Sequence, residues 1–459
     1  MPPRLALFLT LAFIAFLFRR DFRQKPNITP AFWVVFTWVF IMATKTASQW
    51  LAIFGLPGFG TAVVEEGSSL DALVFLALIV IGLRVLSKRQ VRLEQFANHN
   101  PWLMLFMIYC FLAIFWSDFP FVSFKRWIKV LGHPIMVLLI FTEPDPMESL
   151  TRLMKRVSYV VFPLSICWIK YFPELGRKAS EWGGMMNAGV SGGKNELGAM
   201  CYVFGLFLVW YLLQVWRMDK GKVRRMEVVL VAGLLLLIAY CLKKSHSSTS
   251  IISFLLGVLA LLFLGLRVID KRFITAYVIA GVLVAVVAQL MFNIYGNVIE
   301  LTGHESTIEG RGRLWEYLWQ NDANPIFGVG FESYWLGDRI VKIWAIPEFA
   351  FHPTQAHNGY LETYINLGGV GLILLLAAIV ATFNKCRRDL LIRPQWGRLT
   401  MSYLLAIVAH NWTEAGFKSL SINYFIFFLV AIDFPRVLEK EPVSIDSFGS
   451  ESPRELVHA

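Results

Sequence analysis

The stretch STIEGRGRLWEYLWQNDANPIFGVGFESYW (306–335), followed at 352–376 by HPTQAHNGYLETYINLGGVGLILLL, decides how the chain is read. Its first part is polar and aromatic and carries Arg311 and Arg313. Its second part passes from His352, His357 and Asn358 directly into an apolar run. Hydrocarbon-compatible runs stand on both sides. A loop of about 65 residues between two apolar spans is long for a connection, and long structured loops are usually functional. Cationic side chains beside a bilayer point to an anionic ligand.

Composition agrees with a membrane setting. Of 459 residues, 56% are hydrophobic and only 16% charged, and the mean hydropathy is +0.57. Soluble domains carry about 25% charge, so the class is integral membrane protein. The formal net charge of +11 raises the question of nucleic acid. The basic residues, however, cluster at the ends of apolar runs, as membrane orientation requires, and no nucleic-acid partner is expected. Cys110, Cys167, Cys201, Cys241 and Cys386 fall in or beside apolar runs without a CxxC pair. They read as buried small hydrophobes, with neither disulfide nor metal implied.

Apolar runs near 5–18, 31–54, 70–86, 102–116, 127–141, 157–172, 195–216, 227–242, 250–266, 273–292, 360–383, 399–412 and 420–432 predict an all-α polytopic protein of 12–13 transmembrane helices. Several are shorter than the ~20 residues that a perpendicular span needs, and the last two are close enough for a re-entrant hairpin. The organisation expected is a helical part at 1–292, a large extracytoplasmic loop at 293–359, further helices at 360–432 and a disordered cytoplasmic tail at 433–459. Lysine and arginine bias puts the loops 19–25, 84–92, 150–156, 217–225, 267–272 and 384–398 in the cytoplasm. Lys194, Lys243, Lys244, His246, Arg311, Arg313, His352, His357 and Glu414 then fall on the outer face, against the insertion bias, and need another explanation.

Each of these has two readings. Arg311 and Arg313, in GRGRLW, suit bidentate recognition of phosphate oxygens, or snorkel to headgroups or pair with Glu305 or Glu309. His357, in AHNGYL, can accept a proton near neutral pH or simply close a helix start. Asn358 is a good N-cap, or orients His357 or a sugar hydroxyl. Lys194 and Asn195 follow paired glycines in VSGGKNELGAM, where a new helix offers free N–H groups to an anion, or where a lysine snorkels from a flexible loop. The KKSHSSTSI segment (243–251) with Lys244 is a phosphate holder or a wet turn. Glu414, in HNWTEAGF, is a functional candidate by its place near the membrane, or an ordinary loop carboxylate; His410 reads as structural. Trp315, Trp319, Tyr334, Trp335, Trp344 and Tyr360 suit an interfacial belt before they suit sugar stacking.

Taken in order, these residues resemble the O-antigen ligase and polymerase superfamily of bacterial envelopes. Gly310-Arg311 with Trp315 match its GRxxxW pattern. Gly328, Gly330, Phe331 and Trp335 match GxGFxxxW, and His357, Asn358, Tyr360 and Leu361 match HN-x-YL before Gly368-Gly369-Val370-Gly371. Lys194, Asn195, Leu197 and Gly198 match a KN-x-LG element. Ser247-Ser248-Thr249-Ser250 match a hydroxyl-rich span start, and Glu414 a carboxylate near the penultimate span. The amino-terminal part resembles exopolysaccharide polymerases of the succinoglycan type through Ser48-Gln49-Trp50-Leu51, Glu66-Gly67-Ser68 with Leu70-Asp71, Trp116-Ser117-Asp118, Lys170-Tyr171 and Pro173-Glu174-Leu175-Gly176. Ligases often carry an arginine after the serine of the KKSHSSTS position. Here Lys243, Lys244 or His246 would have to supply the charge, which favours the polymerase branch.

The resemblance implies a GT-C-like, metal-independent, inverting glycosyltransferase without cofactor, in the bacterial inner membrane with its active face periplasmic. Glycan would pass from undecaprenyl diphosphate to a sugar hydroxyl of another lipid-linked unit, with a chain-length regulator and a flippase as partners alongside membrane lipids. In this reading His357, Arg311 and Glu414 are catalytic. Lys194, Asn195, Lys244, Arg313 and Asn358 bind substrate. Two alternatives stay open: a ligase that moves finished chains to lipid A core, and a non-enzymatic glycan transporter. A transporter calls for charge deep in spans, of which Lys45 is the clearest case in the sequence.

Overall fold

The computed structural model describes residues 1–56, 68–179, 184–292, 305–320, 323–349 and 351–434. The tail from 435, the segment 293–304 that opens the expected loop, and the pair Glu66–Gly67 lie outside the described residues.

All the apolar runs fold as helix. The first half comprises α1 (Pro3–Arg23), α2 (Phe32–Ala43), α3 (Ala47–Ile53), α4 (Ser69–Lys88), α5 (Leu93–His99), α6 (Pro101–Leu112), α7 (Pro120–Phe141), α8 (Pro146–Tyr171) and α9 (Pro173–Gly176). A small antiparallel hairpin, β1 (Arg177–Ala179) with β2 (Met185–Asn187), leads into α10 (Lys194–Val215). Then follow α11 (Lys222–Ser245), α12 (Ser248–Phe263), α13 (Ile274–Phe292), α14 (Glu305–Gln320), α15 (Gly337–Trp344), α16 (Gly359–Ile392), α17 (Pro394–His410) and α18 (Ile422–Ala431). Among the described residues, α4, α10, α11 and α16 are long and apolar enough to cross a bilayer, and α2, α6, α12 and α18 are apolar but shorter. The protein is an all-α polytopic membrane protein.

Packing groups the helices around α10, which contacts α8, α11, α12, α17 and α18, while α7 and α8 receive α1, α2 and α4. Helices in lipid approach closely where small residues face each other. Gly198 is such a place: a Cβ there would lie 2.5 Å from Ser250 Oγ and 2.9 Å from Ser247 Cβ. The glycine of the KN-x-LG element thus lets the start of α10 seat on the hydroxyl-rich start of α12.

The chemistry sorts to two ends. Trp210 and Gln214 near the end of α10 bond Gln395, and Arg398 bonds the Leu261 carbonyl, so the basic segments at 217–225, 267–272 and 384–398 gather together. The starts of α10, α12 and α16 and the end of α17 gather at the other end.

Five expectations need correction. The run 31–54 breaks at Thr44–Thr46, where Thr46 and Gln49 form a capping box that starts α3. Lys45 therefore sits in a connection, its Nζ 3.2 Å from the Ser191 carbonyl, and is not a charge within a span. Residues 150–156, expected in a cytoplasmic loop, lie inside α8. Its Arg152, Lys155 and Arg156 are 1–2% exposed because Asp21 and Glu227 neutralise them. The expected span 360–383 is interrupted at Gly368, whose φ is 66°. The apolar runs at 399–412 and 420–432 do not make a re-entrant turn: α18 returns to the basic end, where Lys385 donates to the Val430 carbonyl at 3.0 Å. Order also continues past 432, since the Asp433 N–H donates to Asn100 Oδ1 and its carboxylate takes Arg388.

The loop itself is a small folded unit. Leu314, Leu318, Val329, Tyr334, Trp335, Ile340 and Ile343 pack with Leu361 and Ile365 into a second core. Tyr334 is 0% and Trp335 8% exposed, so these two aromatics hold the loop together and do not form an interfacial belt. The 325–330 segment lies along the break in α16: Gly369 N–H donates to the Pro325 carbonyl at 2.8 Å and Gly330 N–H to the Asn366 carbonyl at 2.9 Å.

Candidate functional site

Four segments remote in sequence meet at Glu414, in the turn between α17 and α18. From α14, Arg311 donates Nη2 to Glu414 Oε1 at 2.9 Å and Nη1 to the Thr413 carbonyl at 3.0 Å. From the first turn of α10, Asn195 Nδ2 donates to the same Oε1 at 2.8 Å. From the loop before α16, His357 Nδ1 lies 3.3 Å from Oε2. The Lys194 ammonium is within electrostatic reach of both Arg311 and Glu414.

Local structure explains each position. Asn358 Oδ1 accepts the Tyr360 and Leu361 N–H groups, both at 3.0 Å, which starts α16 and fixes the residue before it. That residue, His357, has φ 49°, a conformation that non-glycine residues adopt rarely and that the surroundings must impose. Thr413 is anchored by a 2.7 Å contact between its hydroxyl and that of Thr249 on α12. Behind the histidine, Lys418 donates to Gln355 Oε1 at 2.7 Å, and Gln355 Nε2 lies 3.4 Å from His357 Nδ1.

Glu414 is only 5% exposed. Burial by itself pushes its carboxyl up. The His357 hydrogen bond and charge, with the Arg311 and His410 charges, outweigh that and hold it at about 2. Such a group is ionised wherever the protein works and is too weak a base to take a proton from a hydroxyl. What it can do is orient: an anionic Oε2 favours the tautomer of His357 with the proton on Nδ1, which would leave Nε2 as acceptor. No described residue hydrogen-bonds that Nε2. Arg311 Nε is buried with no described partner, so a further acceptor could meet it.

Other candidates from the sequence fall elsewhere. Arg313 is exposed on α14 with no described partner. Lys244 holds its ammonium 5.9 Å over the Tyr240 ring on its own helix, and no described contact joins it to Glu414. Within KKSHSSTS, Ser247 donates to Ser250 at 3.0 Å and both are buried. His410 is buried between Tyr202 and Asn423, as expected of a structural residue.

The sequence reading overlooked Glu362. Its carboxylate accepts the Ala356 N–H at 2.7 Å and the Trp335 indole at 2.8 Å, bracing the peptide that precedes His357. A carboxylate one turn into an apolar helix was its only signal. Gln355 and Lys418, each within a few residues of a chosen candidate, gave none.

Residues 233–376 match the family described as O-Antigen ligase. That region contains Arg311 and His357 and ends before Glu414. The chain is also similar to the exopolysaccharide production protein ExoQ of Rhizobium meliloti (strain 1021), with 29% identity over 300 residues. The match takes in 61% of this chain and 64% of that protein, so the chain spans less than two thirds of this relative's length.

Proposed function

We propose that this chain, with its O-antigen-ligase-like region and its similarity to an exopolysaccharide production protein, is a glycan polymerase of the bacterial inner membrane. It transfers a glycan from a polyprenyl diphosphate to a sugar hydroxyl of a second lipid-linked unit, on the extracytoplasmic face. The observation that carries this reading is the convergence of Arg311, Asn195 and His357 on one buried carboxylate, beside Lys194.

The acceptor oxygen attacks the anomeric carbon of the donor and the bond from that carbon to the diphosphate oxygen breaks. The acceptor proton goes to His357 Nε2, and the diphosphate leaves with the bonding pair. Arg311 and Lys194 stabilise the charge that develops on it, and Glu414 orients the histidine and stabilises its protonated form. Asn195 fixes the carboxylate, and Asn358 fixes the histidine's backbone. Arg313 and Lys244 are proposed only as outlying contacts to the headgroup region.

His357→Ala or Arg311→Ala, expressed at wild-type level in membranes, is expected to abolish high-molecular-weight polymer. Long polymer from either variant defeats the assignment. The family description favours a second reading, ligation of finished chains to lipid A core. A deletion strain separates the two: single repeat units in place of polymer mark a polymerase, and unattached polymer of normal length marks a ligase.

A further inference from the structure

Beside His357 lies a slot of about 430 Å³ between two helical stripes. On α14 the stripe is Trp315 and Trp319; on α16 it is Tyr360 and Tyr364. Glu316, Gln320 and Asn358 supply its polar edge. We propose that this slot binds the neutral sugar residues next to the diphosphate of a lipid-linked glycan, an inference that rests on the reading of Arg311 as a diphosphate ligand.

Spacing supports it. Arg311, Trp315 and Trp319 stand four residues apart on one helix, so each step advances about 6 Å, comparable to one sugar ring. A diphosphate held by Arg311 therefore has its first sugar level with Trp315 and the next level with Trp319. The Trp315 indole is pinned to the Ala356 carbonyl at 2.7 Å, which sets the plane of its ring. Trp319 stacks on Tyr364 with centroids 5.0 Å apart and is still 65% exposed, so one ring face is open.

Polar groups decide the ligand class. Asn358 uses Oδ1 to cap α16, and its amide nitrogen has no described acceptor. The Glu316 and Gln320 side chains have no described partner either. A sugar offers apolar C–H faces to aromatic rings and hydroxyls to amides and a carboxylate. A lipid tail leaves those three polar groups unmatched, and the Glu316 charge repels a lipid phosphate. The slot volume is within the ~300–1,000 Å³ of small-molecule sites.

The test uses full-length protein in phosphatidylglycerol nanodiscs and two probes, each titrated calorimetrically. One is phosphate-free oligosaccharide made by partial acid hydrolysis of the host's secreted polysaccharide; the other is undecaprenyl diphosphate without sugar. Trp319→Ala is expected to bind the oligosaccharide about tenfold more weakly, the loss of one stacking face, with diphosphate binding unchanged. Trp319→Phe, which keeps an aromatic face, restores most of it. Arg311→Ala is expected to show the reverse pattern. The slot is refuted if wild type ignores the oligosaccharide, if Trp319→Ala binds it normally, or if that variant loses both probes equally, as a bilayer anchor would. Should Arg311→Ala keep its diphosphate affinity, the reading of the site fails while the oligosaccharide arm still judges the slot.

Discussion

At the scale of single residues, Glu414 joins stability to chemistry. Its carboxyl is held at about 2 against the usual 4.5, which stabilises the fold by on the order of 3 kcal/mol at neutral pH. A depressed carboxyl contributes stability that is complete above its unfolded pKa and is lost as pH falls through its folded one. The window therefore runs from about pH 4.5 down to about pH 2. Thermal unfolding of wild type in detergent should drop steeply on acidification through that window, and Glu414→Gln should lower the neutral-pH midpoint and flatten the drop. Parallel curves for the two proteins would remove Glu414 from the linkage. Sequence alone named Arg311, His357, Asn195 and Glu414, because a charged or polar side chain at the end of an apolar run has few other reasons to be there. It could not pair them, since Arg311 and Glu414 are 103 residues apart and only the fold closes that distance. It could not show that the Lys244 ammonium lies over Tyr240 on its own helix, with no described contact to Glu414.

At the scale of elements, the helix signals were legible and the interruptions were not. Hydropathy located the apolar helices, because burial in lipid needs only composition, and missed the polar ones at Glu305–Gln320 and Gly337–Trp344 inside the expected loop. The break in α16 depends on a contact that composition cannot show: a Cβ on Gly368 would lie 2.2 Å from the Ile326 backbone, at a φ of 66°. Gly368→Ala should cost about 1–3 kcal/mol in strain and lower polymer output by displacing 325–330. An unfolding midpoint equal to wild type would show that the break is not held by this glycine. The charges at 150–156, expected in a cytoplasmic loop, are likewise buried in α8. Arg152 Nη1 and Arg156 Nε both lie 2.7 Å from the Asp21 carboxylate, and Phe22, Phe32 and Trp33 surround the Arg156 guanidinium. Asp21→Asn strands the buried Arg156 and leaves Arg152 only Glu148 as an acidic partner, and should destabilise by about 3–5 kcal/mol. The exposed pair of Arg339 with Asp118 should yield under about 1 kcal/mol on Arg339→Ala. Similar losses from both variants would contradict the assignment of α8 to a buried network.

At the scale of the whole molecule, the proposed function depends on which end faces out. Lysine and arginine bias leads one to expect the end holding 217–225 and 384–398 in the cytoplasm, and the fold gathers those segments away from Glu414. An exported polyprenyl diphosphate glycan, as the proposal requires, can meet Arg311 and His357 only if their end faces the periplasm. The protein is well suited to test this, because its five cysteines are all buried and should resist a membrane-impermeant maleimide. Thr354 is exposed in the loop before α16, and Lys220 is exposed in the turn between α10 and α11. Thr354→Cys is expected to label in intact spheroplasts, and Lys220→Cys only after the membrane is opened. A reversed pattern puts the Glu414 cluster in the cytosol, where it would face nucleotide-linked sugars in place of exported lipid-linked units, and the polymerase proposal would have to be abandoned.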